Sequence, residues 1–191
     1  MEEKDAVNNV PLLWVPVSEI EPLVLLGGIP TPECDPPGFR HMDWEKAPHH
    51  YIANLQVRTV IAITDQPIHW NIPTSLISYH HVVMLDHPSS HILKHFWPLA
   101  KEIRRSLKKK DTVLIHCHAG ISRSAAVLAA YYLFFGLPSS PGKRSSVEEV
   151  LNFIRTKRPY INPNAGFISQ LEYLCSIIAN DMFDELIKSE I

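Results

Sequence analysis

The chain carries little net charge of either sign: 18 Lys and Arg face 20 Asp and Glu over 191 residues, a formal balance of −2. Such a balance gives no global attraction to nucleic acid or to an anionic membrane, so any anion recognition has to be local. Long apolar runs are missing too. The first residues, Met1-Glu2-Glu3-Lys4-Asp5, are acidic, and no later stretch approaches the length of a membrane span. Both features predict a soluble intracellular protein of the cytoplasm or nucleus. Cysteine is scarce. Cys34, Cys117 and Cys175 are too few and too far apart for a disulfide framework, and their odd number leaves at least one thiol free. No repeat and no long low-complexity tract interrupts the chain.

What is present fits one domain, residues 1–191, with a short tail over about 1–11. Prolines cluster at 30–37, 67–73 and 138–141 and punctuate a loop-rich first half. Between them, residues 12–17, 23–26, 57–63 and 77–85 read as strands, and 112–116 completes the set. Helices follow. Ser89 or Ser90 is placed to cap a helix through His95, Trp97, Ile103 and Leu107, whose basic end, Arg104 to Lys110, suits the helix dipole and reads as a solvated surface. Ser124 to Phe135 is an apolar helix stopped by Gly136. Ser146-Val147-Glu148-Glu149 is a capping box that opens a third helix, and a fourth runs from Asn164 to about Leu186. Strands interleaved with helices predict an α/β fold with a central sheet. Residues 28–56 form an atypical loop or insertion without a derivable role.

Chemistry concentrates in one place. The strand Thr112 to His116 runs into Cys117; five residues later comes Arg123, and Ser124 then begins the apolar helix. A tight loop between a strand and a helix directs successive backbone N–H groups inward, and the helix adds the positive end of its dipole. The concavity suits a tetrahedral dianion. Gly120 lets the backbone turn where a side chain would obstruct it. Arg123 offers a planar fork for two phosphate oxygens. The same field acts on Cys117 and suits an anionic sulfur, the form in which a cysteine is nucleophilic. A buried cysteine at a strand end is ordinary by itself. Its spacing from the arginine, the intervening glycine and the flanking elements together are not.

Eleven histidines invite a metal reading, with pairs at His49-His50 and His80-His81 and a run His87, His91, His95. No carboxylate or cysteine joins them at zinc spacing, and the loop chemistry needs neither metal nor other cofactor.

His116-Cys117-His118-Ala119-Gly120-Ile121-Ser122-Arg123-Ser124 resembles the catalytic loop of protein tyrosine phosphatases, and its H-A-G-I-S-R-S portion looks most like the dual-specificity branch. Arg158 to Phe167, followed by Gln170 and Leu171, is similar to the segment after that loop in the same branch. The resemblance spans roughly residues 15–178. It implies a mostly parallel sheet flanked by helices, a phosphorylated protein as substrate, and two steps through a phosphocysteine. Cys117 would be the nucleophile and Arg123 would bind the phosphate, with His118, Ala119, Gly120, Ile121 and Ser122 around it. An aspartic acid about thirty residues upstream would be the general acid. Asp86, 31 positions before Cys117, fits best, with Asp65 and the turn residue Asp111 as rivals. Ser124 would hydrogen-bond the cysteine sulfur as a leaving thiolate, or cap its helix, or both. Asn164 would brace the loop backbone, His116 would hold the loop through its ring, and His118 is a candidate substrate contact.

Two alternatives stand beside this reading. A phosphatase of inositol lipids would usually bring lysines into the five-residue loop, which here has none. A phosphoprotein-binding module without turnover would usually lack the cysteine or the arginine, and both are present. The oligomeric state is not legible, nor is whether Cys34 or Cys175 could trap an oxidised Cys117 as a disulfide.

Overall fold

The computed structural model describes residues 17–28, 56–66 and 76–180. The expected tail, the proline-rich segments 30–37 and 67–73 and Cys34 lie outside the described residues. Five strands form one sheet: β1 (Val17–Glu21), β2 (Val24–Gly28), β3 (Val57–Thr64), β4 (Ser78–Val83) and β5 (Thr112–Cys117), in the order β1-β2-β5-β3-β4. Only β1 pairs antiparallel, so the sheet is mostly parallel. Of the expected strand 12–17 only Val17 is described; it belongs to β1, which continues to Glu21, and Leu23, at φ 70°, turns the chain into β2. Residues 12–16 lie outside the described residues.

The sequence of each strand matches its place. Thr112-Val113-Leu114-Ile115-His116-Cys117 is buried throughout and sits in the middle, as a continuous run should when neighbours cover both edges and both faces. β4, at the edge, is mostly half-buried.

Among the described residues there are four helices, α1 (Leu93–Lys108) between β4 and β5, then α2 (Arg123–Phe135), α3 (Val147–Arg155) and α4 (Ala165–Ala179), with a small hairpin, β6 (Gly136–Leu137) and β7 (Ser140–Pro141), between α2 and α3. α2 is apolar on almost every side because it is surrounded: its alanines and Leu128 join one core with Ile61, Ile63, Val113 and Ile115 of the sheet and Phe96, Val150 and Phe167 of the other helices. Each such buried Leu, Ile or Phe contributes about 1.5–3 kcal/mol by leaving water. Leu25, Val60 and Leu114, pointing the other way from the strands, form a second cluster on the opposite face.

The capping box of α3 is present, with Ser146 Oγ accepting from Glu149 N and Glu149 accepting from Ser146 N. α1 departs from expectation. Its cap is Ile92, not Ser89 or Ser90, and no local side chain serves it. Gln170 of α4 instead accepts from Leu93 N (2.9 Å) and donates to Ser90 O (2.9 Å), so a tertiary contact satisfies the first turn. α4 ends at Ala179, short of the expected Leu186, with Arg144 donating to the Ala179 carbonyl (2.7 Å). Residues 181–191 lie outside the described residues.

Candidate active site

β5 delivers Cys117 at its C-terminal end, between β2 and β3, and α2 begins six residues later. Parallel strands end together on this side, and the site opens there. The carbonyls of the connecting loop face outward: Arg158 donates to Ala119 O (NH2, 3.2 Å) and Gly120 O (Nε, 2.8 Å), and Asn162 N donates to Ile121 O (2.9 Å). In a trans peptide the next N–H points opposite to the carbonyl. The amides of Gly120, Ile121 and Ser122 therefore face inward, and that of Gly120 is seen doing so, donating to Cys117 Sγ at 3.2 Å. Gly120 has φ +67°, and a Cβ on it would stand 2.3 Å from the Gly27 carbonyl carbon. The loop can close only with glycine there.

Cys117 is 1% exposed, and its sulfur accepts a second hydrogen bond from Ser124 Oγ at 3.2 Å. Ser124 is inside α2, not its cap; Ser122 occupies the cap position and makes no side-chain cap bond, because its hydroxyl is committed elsewhere. It donates to Asp86 Oδ1 (2.7 Å) and accepts from Asn164 N (3.2 Å). Arg123 opens α2 with its guanidinium buried over the loop. NH1 donates to Met84 O (2.9 Å), and Nε lies 3.6 Å from Asp86 Oδ2.

Of the three candidate acids, Asp86 sits beside this constellation. Ser122 and Asn164 (Nδ2, 2.8 Å) both donate to its Oδ1. Asp111 precedes β5 and so lies a full six-residue strand, about 20 Å, from Cys117. Asp65 follows β3 and pairs with His118 Nε2 at 2.5 Å, 4.0 Å from Arg123 NH1. The hydrogen bond from His118, chiefly, holds its carboxyl below the usual range.

One expectation changes. The Asn164 side chain does not brace the loop backbone: it holds Asp86 and accepts from Phe167 N (3.0 Å) as the cap of α4, while only its backbone N–H reaches the loop. The bracing belongs to Arg158, 1% exposed, which also donates to Ser18 Oγ (3.1 Å) and stacks on Tyr160. Sequence reasoning quoted Arg158 within a motif and gave it no role. Its signal, an arginine before a proline, is silent about which carbonyls it meets. His116 is fully buried, and burial lowers its pKa to about 3; the neutral ring donates from Nδ1 to Cys117 O at 3.4 Å.

Among the described residues no group of three His, Cys, Asp or Glu could hold a metal ion. Cys175 is half-buried on α4, its thiol donating to Ser145 O (3.6 Å).

The family model described as "Dual specificity phosphatase, catalytic domain" matches residues 42–175. "Putative tyrosine phosphatase 123R" of Invertebrate iridescent virus 6 is 38% identical over 119 residues, 62% of this chain and 75% of the viral one. "Dual specificity protein phosphatase 14" of Mus musculus is 32% identical over 122 residues, 64% of this chain and 57% of the mouse protein. Several matched relatives are much longer, and the chain spans less than a third of them. The crystal structure of human DUSP28 superposes with a TM-score of 0.67 over 86% of this chain and 95% of that one, at 22% identity, a likeness of fold.

Proposed function

This chain belongs to the dual specificity phosphatase family, and we propose that it hydrolyses phosphotyrosine, phosphoserine or phosphothreonine in proteins through a phosphocysteine on Cys117. The observation that carries the proposal is the position of the Cys117 sulfur: it accepts from Gly120 N and Ser124 Oγ at the floor of a loop whose next amides also point inward. Both donors suit an anionic sulfur.

In the first step the sulfur attacks phosphorus in line. The S–P bond forms as the P–O bond to the substrate breaks, and the leaving oxygen takes a proton from Asp86. The amides of residues 120–122 and the Arg123 guanidinium take the equatorial oxygens, where negative charge is spread in the transition state. In the second step Asp86, now ionised, accepts a proton from water, whose oxygen attacks phosphorus. Sulfur departs as thiolate, received by Ser124 Oγ. The hydrogen bonds from Ser122 and Asn164 both fall on Oδ1 of Asp86 and fix the carboxyl while Oδ2 remains for the proton.

The lysine-free loop favours a phosphoprotein over a highly charged inositol phosphate, and the near-neutral balance of the chain gives no global attraction to nucleic acid or an anionic membrane. A thiolate nucleophile calls for a reducing compartment, the cytoplasm or nucleus.

Hydrolysis of p-nitrophenyl phosphate without added metal, across pH, tests the reading. Activity should disappear in Cys117→Ser and fall by about 10²- to 10⁴-fold in Asp86→Ala. A wild type that binds phosphate without turnover would make the chain a phosphoprotein-binding module instead.

A further inference from the structure

Asp65 was a rival for the acid, and the structure gives it different company. β3 and β5 run parallel with Ala62 opposite His116. Three residues beyond Ala62, Asp65 therefore overhangs the loop residue that comes two after His116. That residue is His118, next to the nucleophile on the rim of the loop, with its side chain 33% exposed. The turn under Asp65 is held: Thr64 Oγ1 donates to Gln66 O (2.6 Å) and lies 2.8 Å from His81 Nε2. A carboxylate on a fixed turn thus meets one ring nitrogen of a side chain that would otherwise rotate freely beside the phosphate site.

We propose that Asp65 is a positioning residue that acts through His118, holding the imidazole as the β3-side wall of the pocket mouth against which the phosphorylated side chain rests. The proposal rests on the phosphatase reading above and adds a specificity element to it. Three observations agree. Asp65 Oδ1 accepts from Nε2, and since a carboxylate only accepts, the proton is on Nε2 and the ring is oriented by it. The bond exists in the unliganded protein, so orienting the ring costs nothing when substrate arrives. Asp65 is also kept ionised by that bond, which makes it a poor proton donor and leaves that task to Asp86, which follows β4 and reaches Arg123 from its own loop.

A contact made equally in the bound and transition states alters KM more than kcat. With p-nitrophenyl phosphate, Asp65→Ala should raise KM about 3- to 10-fold, the range for one lost hydrogen bond, with kcat within about twofold. Asp65→Asn, whose amide oxygen still accepts from Nε2, should recover most of the loss. His118→Ala should equal the double variant, so that removing Asp65 costs nothing further once the ring is gone. The ring-nitrogen resonances of His118 should report Nε2–H in the wild type and a tautomer mixture in Asp65→Ala. A kcat that falls more than tenfold at unchanged KM, additive losses in the double variant, or unchanged His118 resonances would each overturn the proposal. A wild type as inactive as Cys117→Ser would overturn the phosphatase reading instead, and the His118 resonances would then decide the pairing alone.

Discussion

A single hydroxyl separates the two half-reactions. Ser124 Oγ touches the Cys117 sulfur and no phosphate-binding amide, so it matters most when sulfur leaves phosphorus with a negative charge. Ser124→Ala should release about one equivalent of p-nitrophenol per enzyme as a burst, then turn over about 10- to 100-fold more slowly, the scale of one hydrogen bond to a charged group. Rapid-mix kinetics reads this directly, and a slowed rate without a burst would assign Ser124 to the first step. Residues 116–124 were legible in sequence because they are local: one strand end, one loop and one helix start put the sulfur, the amides and the guanidinium together. Arg158 and Asn164 were legible only as members of a motif. What each one holds depends on where α3 and α4 pack.

At the scale of elements, α4 controls the acid. Asn164 holds Asp86, Gln170 ties Ser90 and Leu93, and Gly166 lies so close that a Cβ would come within 1.8 Å of Pro88 O. The segment 86–93 is thus clamped against the first two turns of α4. Gly166→Ala must displace one of the two, and Asp86 moves with it. The expected result is a fall in kcat on the order of 10- to 100-fold, as for a catalytic group misplaced by about an ångström, with competitive inhibition by inorganic phosphate changed less than about twofold. Equal losses in both measurements would mean that the loop, not the acid, had moved. The serines at 89 and 90 read as caps because their residue type suits a helix start. The structure prefers a glutamine 77 positions after Leu93, since an amide partner from a packed helix satisfies the orphan N–H as well as a local hydroxyl does.

Across the whole molecule, the central strand carries a titratable ring into the core. His116 is buried with its pKa lowered from 6.5 to about 3, so the unfolded chain binds the proton more readily than the folded one. Its contribution is fully present above pH 6.5 and is lost progressively as pH falls towards about 3, and the depressed Asp65 acts in the same direction. Half-buried Glu21, with its pKa raised by desolvation, opposes them in part. Urea midpoints should therefore drop steadily from pH 7 to pH 4, and a folded His116→Asn variant should show a flatter dependence; equal slopes would remove His116 as the cause. The sequence by itself determined the α/β class, the strand-loop-helix that carries Cys117 and Arg123, and the spacing that favours Asp86, because periodicity, turn chemistry and short-range geometry act within a few residues. Only the tertiary structure decided that Asp65 meets His118, that Arg158 turns the loop carbonyls outward, and that α4 clamps the acid. These contacts join residues 38 to 78 positions apart, and their geometry follows from sheet register and helix packing, which no local pattern encodes.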